Sequence, residues 1–307
     1  MLKNNGFLYE IVDEEYLKKF NAHQLIFMKE YYYSQYCRYC ENNKKRIQSN
    51  EKFFLNMRRK RIKLLQMLCP YCGEIRLVFK EAEARSLDSY KYCGNCGKTY
   101  PSETAFMQLS RIIRIIYFHE KGLQCIKSID SKSDTDILTY DIYQLELIEI
   151  ASILEVVMRD FFEAFVSLKY FNAKDKYLSD IIKKNINNDF LNVDKANEHY
   201  KKALNLNLKN KINQSDWLDL IDLANMRNTI VHNNGFIDNK FKSSLSYKRL
   251  EKLIKGDLIF LSKDTIKYYI LKVNTVINVV TQLFEDTYLK EKYAIIAEHY
   301  FNENNEE

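Results

Sequence analysis

An arginine, an asparagine and a histidine, Arg227, Asn228 and His232, fall within six positions of one another in the run MRNTIVHNNG, residues 226–235. An arginine offers a planar fork of N–H donors that fits two phosphate oxygens at once. A histidine takes up and releases a proton near neutral pH. An asparagine orients a neighbour by donating or accepting a hydrogen bond. Together they suit a reaction in which charge builds on a phosphate while a proton moves. A second set has metal-ligand spacing. Cys69 and Cys72 in CPYCG, and Cys93 and Cys96 in CGNCG, form two C-x2-C pairs with twenty residues between them.

Two residues between cysteines let both thiolates of one tight turn reach a single ion, and the glycine after each pair frees the backbone to donate to sulfur. Four thiolates complete the tetrahedral shell that zinc prefers, leaving no open position for catalysis. One structural zinc per chain is expected, standing in for a hydrophobic core. With the short strand EIRLVFK between the pairs, residues 67–101 resemble a zinc ribbon. No βαβ pattern surrounds them, which argues against a redox dithiol. Cys37 and Cys40 in SQYCRYC share a helix face. They either pack among the neighbouring tyrosines or join Cys125 or His119 in a second metal site.

These residues need elements to hold them. Pro70 and Pro101, the only prolines, bracket the cysteine module, and beyond Ser102 only Gly122, Gly235 and Gly256 interrupt the chain. So little punctuation points to long helices and a mainly α fold. Residues 13–66 read as two helices joined near Glu41–Lys45. Another is expected over 103–121, capped by Ser102 and stopped by Gly122. The polar run KSIDSKSDTD, 127–136, is the linker candidate. From about Tyr140 to Tyr170, Leu147, Ile150, Leu154, Val157, Phe161 and Phe165 recur at helical spacing. Further helices fall at 215–233 and 263–290. The resulting organisation is a helical N-terminal region (1–66), the cysteine module (67–101), a connecting helix and linker (102–136), a helical domain (137–290) and a C-terminal tail (291–307).

In the motif helix, Ser215 or Asp216 is the expected cap. Trp217, Ile221 and Ala224 form a seam that Asn228 and His232 continue, and Arg227 falls on the neighbouring seam of Leu220 and Leu223. The trio is therefore expected on packed faces, where polar groups need partners. Gly235 is the expected left-handed stop.

This stretch resembles the signature of the HEPN superfamily of helical ribonucleases and nucleotide-binding domains: an arginine, four to six residues, then a histidine, with a polar residue after the arginine. Arg227, Asn228 and His232 match at the four-residue spacing, within a helical stretch of roughly 139–290. Glu155 and Arg159 match a weaker acid-to-base pattern of some members. Arg114 and His119 in RIIYFH share the bare spacing, but Ile follows the arginine and no stop follows the histidine, so they read as ordinary helix. The resemblance implies a HEPN-like helical bundle and a metal-independent endoribonuclease. The RNA 2′-OH would attack the adjacent phosphate and leave 2′,3′-cyclic phosphate ends. His232 would move the proton, Arg227 would hold the phosphate oxygens, and Asn228 would orient His232 or bind phosphate. No catalytic cofactor is implied. A homodimer with a composite site is implied, as are a toxin or anti-phage role and a regulatory partner protein.

Charge adds a second strand of expectation. The chain is +6 overall, yet residues 44–63 hold nine Lys or Arg and one Glu, a net +8. Lys44, Lys45, Arg46, Arg58, Arg59, Lys60, Arg61 and Lys63 form a basic stripe suited to a polyanion, RNA above all; a solvated helix face is the plain alternative. With 46% hydrophobic residues the chain can bury a core. It has no apolar run of membrane-span length and no secretory h-region, so a cytoplasmic location is expected. Family members without activity leave a second reading open, a non-catalytic nucleic-acid-binding or adaptor protein using the ribbon and the stripe.

Overall fold

A computed structural model describes residues 8–18, 20–81, 91–126, 132–171, 180–182, 184, 186 and 189–305. The fold is mainly helical, with two small sheets among the described residues. It divides into two compact units. The first comprises Met1–Tyr100, Ser167–Lys176 and Glu285–Glu307, the second Pro101–Val166 and Tyr177–Phe284.

In the first unit, strand β1 (Tyr9–Ile11) and the one-turn helix α1 (Glu14–Leu17) precede helix α2 (Ala22–Asn42) and helix α3 (Asn50–Arg58). A capping box at Asn21 and Gln24 starts α2. Two helices were expected to fill residues 13–66. The chain instead turns after Arg58 and continues as strand β2 (Ile62–Leu68), which pairs antiparallel with β1 and with strand β3 (Ile75–Glu81). As the central strand, β2 is buried from Leu64 to Leu68 without alternation, so its sequence, IKLLQML, carries no period-two signal. The core is rich in tyrosine and phenylalanine. Tyr36 stacks on Phe53 at 4.5 Å between ring centroids, and Tyr16, Phe20 and Tyr293 meet edge to face. Cys40 is buried in this cluster.

In the second unit, helix α4 (Pro101–Ile126) begins on a proline, whose fixed φ suits the first turn. It was expected to start from Ser102 and stop at Gly122. It runs through Gly122, whose missing side chain faces open space, and Ser102 is buried inside the first turn. Residues 127–131 of the linker candidate lie outside the described residues; from Lys132 the chain is already helix α5 (Lys132–Lys169). Helix α6 (Val193–Leu204) is capped by Asn192 and closed by Asn205 in the left-handed region. Helix α7 (Gln214–Asn233) carries the Arg227–His232 motif. Short helices α8 (Asn239–Lys242) and α9 (Leu245–Arg249) follow, then a two-stranded hairpin of β4 (Ile254–Lys255) and β5 (Leu258–Ile259). Helix α10 (Lys263–Asn305) closes the chain, so residues 291–305, expected as a tail, are helical. Phe161, Phe165 and Phe284 meet edge to face at the centre of this unit, and the Tyr200 hydroxyl donates to the Met158 carbonyl at 2.7 Å. Among the described residues, no helix is long and apolar enough to cross a membrane.

Candidate functional site

The start of α7 is locked by charge as well as by apolar packing. Asn213, not Ser215 or Asp216, caps the helix, accepting from the Asp216 N–H at 2.8 Å. Trp217, Leu220, Leu223 and Met226 are fully buried, and so, nearly, are three carboxylates at three-residue spacing, Asp216, Asp219 and Asp222. Each has a partner. Arg249 donates to Asp219 and Asp222 at 2.7 Å each, Lys272 reaches Asp216 and, at 3.0 Å, Asp219, and the Tyr268 hydroxyl donates to Asp219 at 2.6 Å. Burial pushes the Asp222 carboxyl up, against the opposing pull of Ser246 and Arg249. The hydrogen bond to Asp216 leads the upward shift of Lys272. Sequence reasoning read Asp216 as a cap and passed over Asp219 and Asp222. Their spacing on a buried helix was the available signal.

The end of the same helix is open. Met226 and Ile230 still face the core, but Arg227 is half-buried and both Asn228 and His232 are exposed. The sequence-based expectation that the whole trio packs is therefore corrected for Asn228 and His232. Arg227 Nη1 donates to Asn228 Oδ1 at 3.1 Å, so Asn228 spends its oxygen on the arginine rather than on His232. The Arg227 Nε–H is buried with no acceptor among the described residues. Asn228 and His232 line a depression of about 320 Å³ together with Asn225, Asp238, Lys240 and Ser244. Arg227 lies outside that lining.

The left-handed cap of the helix is Asn234, at φ +50°, one residue ahead of the expected stop; Gly235 follows at φ +83°, and its N–H donates to Thr229 O at 3.2 Å. A Cβ there would stand 2.7 Å from the Tyr140 hydroxyl and 2.9 Å from Gln144 Nε2. The glycine thus meets two demands, left-handed backbone and close approach to α5.

The other Arg–His spacing behaves differently. Arg114 is exposed in mid-helix, while His119 Nδ1 meets Glu146 Oε1 at 2.9 Å. Burial drives the Glu146 carboxyl up and the His119 contact opposes it. Glu155 and Arg159 form an ion pair one turn apart on α5.

The four module cysteines converge. The sulfurs of Cys69, Cys72, Cys93 and Cys96 all lie within 4.8 Å of one another, with Cys69–Cys96 at 3.6 Å and Cys72–Cys93 at 3.7 Å. A tetrahedron of thiolates at zinc–sulfur distances requires about 3.8 Å between sulfurs, so this set fits a metal ion. The two turns are built alike. Gly73 and Gly97 have φ +74° and +73°, and each donates its N–H at 2.9 Å to the carbonyl of the first cysteine of its pair. Burial works against the Cys93 thiolate, but the N–H groups of Cys96 and Asn95 outweigh it and hold that thiol below its ordinary value. Burial pushes the Cys69 and Cys72 thiols up, a cost that a bound cation would offset. Among the described residues no second group of three or more metal-capable side chains forms; Cys37 is half-buried and Cys125 exposed.

The basic stripe is not one helix face. Lys44, Lys45 and Arg46 follow the end of α2; Arg58, Arg59, Lys60 and Arg61 close α3; Lys63 sits on β2 opposite Lys80 of β3. All but the half-buried Lys63 are exposed. Arg58 faces Glu14 at 3.5 Å across open solvent, a weak pair.

No family model, no curated protein and no solved structure matches this chain.

Proposed function

We propose that this protein is an endoribonuclease of HEPN type, cutting RNA by attack of the 2′-OH on the neighbouring phosphate. The observation that carries the reading is the contrast along α7, which leaves an arginine–asparagine pair and an exposed imidazole at the open end of an otherwise locked helix. His232 would take or return the proton, a role worth about 10²- to 10⁴-fold in rate. Arg227, through its remaining guanidinium N–H donors, would hold the non-bridging oxygens as charge grows on them. Asn228 would fix the guanidinium through the bond it already makes. None of these roles calls on a metal ion. One arginine and one histidine make a sparse site, so two copies would pair about a twofold axis and share it. The cysteine module would hold one structural zinc and, with the basic stripe, present RNA to that site. Such an activity fits a cytoplasmic toxin or anti-phage effector held in check by a partner protein.

The test is cleavage of total RNA by the parent, Arg227→Ala and His232→Ala chains, with the ends analysed. The parent should leave 2′,3′-cyclic phosphates and both variants should be at least about 100-fold slower. Folded variants that cut as fast as the parent would sink the catalytic reading. Mixing the two variants should restore part of the activity if the site is shared between copies. A second reading, a non-catalytic RNA-binding protein, is favoured by the exposed cations clustered at the ends of α2 and α3. It wins if the parent binds RNA with steep salt dependence and cuts none. Metal analysis should find one zinc per chain.

A further inference from the structure

The structure points to a specific recess, beyond the basic stripe itself, for an unpaired nucleotide. A cavity of about 350 Å³ lies in the first unit, between the ends of α2 and α3 and the edge of the β1–β3 sheet. Lys45, Arg46, Lys52, Arg61 and Lys80 line it, and no carboxylate is among its described lining residues. Its apolar wall is Tyr39 stacked on Phe79, 5.2 Å between centroids and 28° between planes. Lys45 Nζ lies over the Tyr39 ring at 5.3 Å and bonds its hydroxyl at 3.3 Å. An exposed cation–π contact of this kind is worth about 0.5–1 kcal/mol. A nucleobase stacked on an aromatic ring is worth about 1–3 kcal/mol. A base can therefore displace the lysine from the ring, and the lysine can then turn to a phosphate.

Backbone strain at the rim supports a purpose for the charge. Lys44 and Lys60 both occupy the left-handed region, at φ 51° and 55°, where glycine is the unstrained choice. Each closes its helix the same way: Lys45 N–H reaches back to Cys40 O at 2.8 Å, and Arg61 N–H to Asn56 O at 2.9 Å. The two strained turns thereby deliver Lys45 and Arg61 to the cavity. Five cations exceed what one phosphate needs, and exposed Lys44, Arg58, Arg59 and Lys60 continue the positive surface. We propose that the cavity seats one unpaired nucleotide of a single-stranded RNA, with the base against Tyr39 and the flanking phosphates on Lys45, Arg46, Lys52, Arg61 and Lys80. Single strands pair this way with proteins, through a positive groove and a stacking ring. The proposal takes from the ribonuclease reading only that RNA is the ligand.

The experiment uses the full chain carrying His232→Ala, so that RNA is bound and not consumed, and a fluorescein-labelled oligouridylate of about ten nucleotides. Anisotropy should show tight binding to this strand and weaker binding to a blunt RNA duplex of equal length. Tyr39→Ala should weaken binding by roughly 5- to 150-fold, and Tyr39→Phe should restore most of it. Lys52→Ala with Arg61→Ala, both at exposed positions, should lower the slope of log affinity against log salt by about 1.4. Equal binding of duplex and strand, or an unchanged affinity in Tyr39→Ala, overturns the proposal. Competition by free uridine monophosphate at the strand's own concentration would make a free nucleotide the occupant and overturn it as well. The outcomes separate from those for cleavage. A parent that cuts no RNA while Tyr39→Ala still loses affinity removes the ribonuclease reading and keeps the cavity. RNA cleavage together with unchanged Tyr39→Ala binding does the reverse.

Discussion

The first turns of α7 bury Asp216, Asp219 and Asp222 against Lys272, Arg249 and Tyr268, whereas its last turns expose Asn228 and His232 and leave an Arg227 N–H without an acceptor. One helix therefore spends its charges in two ways. Where its carboxylates are buried they are paired at 2.5–3.0 Å, as desolvation demands. Towards its end, Arg227 is held only by the neighbouring Asn228, and its Nε–H has no acceptor among the described residues. Substitution at the two ends should separate stability from activity. At the open end, His232→Ala is expected to slow RNA cleavage by about 10²- to 10⁴-fold while moving the unfolding free energy by no more than about 0.5 kcal/mol. At the locked end, Asp219→Ala strands parts of three partners. It should cost about 3 kcal/mol, the low end for a broken buried pair because Arg249 and Lys272 are partly solvated. Denaturant unfolding and cleavage per folded molecule measure both. If His232→Ala is the more destabilised of the two, the division along the helix is wrong.

The same division explains what the sequence conveyed and what it hid. Helical character was legible from the lack of proline and glycine, and α7 begins and ends within a residue of where periodicity places it. The left-handed close of the helix was legible to within a residue: Gly235 does have positive φ, but the cap itself falls on Asn234, the other residue type that tolerates that region. Solvent exposure was not. Trp217, Asp219, Leu220, Asp222, Leu223 and Met226 bury the helix on nearly every side, so no polar face tells the pattern where the core ends. The seam through Ile221 and Ala224 was extended to Asn228 and His232, but that face is already only half-buried at Ile221 and Ala224 and opens to solvent at Asn228 and His232, while Met226, Thr229 and Ile230 keep the opposite side of the helix buried. The carboxylate partners lie 27 to 56 residues away in sequence, beyond any local pattern. The four cysteines show the opposite case. Spacing within each pair dictates geometry, and the sulfurs meet as the spacing predicts. The strand β2 was missed because a central strand buried on both faces does not alternate.

Two lysines, one half-buried and one fully buried, extend the comparison to pH. Lys272 sits among carboxylates, and the bond to Asp216 moves it upward. Lys292, in the other unit, is fully buried among the rings of Tyr16, Tyr288 and Tyr293, with Glu10 as its counter-charge. Burial pushes its ammonium down to about 7. The unfolded chain holds that proton up to the ordinary value of 10.5, so above pH 7 it binds more protons than the fold. Stability from Lys292 is therefore complete above about pH 10.5 and lost as pH falls through about 7. The slope is at most about 1.4 kcal/mol per pH unit, and the Glu10 carboxylate makes it shallower. Unfolding measured near pH 7.5 and near pH 9 should show the parent gaining on Lys292→Met. A gain in the opposite direction would place the charged form of Lys292 in the fold.

Helix ends give the finest version of the contrast. The end of α7 assigns its left-handed positions to Asn234 and Gly235, residues suited to them, whereas α2 and α3 assign theirs to Lys44 and Lys60. Gly235→Ala should destabilise by about 1–3 kcal/mol, since it adds both a strained φ and a Cβ against Tyr140. Lys60→Gly should do the opposite. Relief at φ 55° favours the fold, the freer unfolded chain offsets part of the gain, and a net stabilisation of about 0.5–1 kcal/mol remains. The same change removes a cation from the rim of the Tyr39 cavity, so affinity for a single-stranded RNA should fall, with a salt slope lower by about 0.7. A lysine kept there at the expense of stability is a lysine kept for binding. If Lys60→Gly is stabilised and binds RNA as the parent does, the strain at that turn has no counterpart in function, and the comparison between the helix ends loses its meaning.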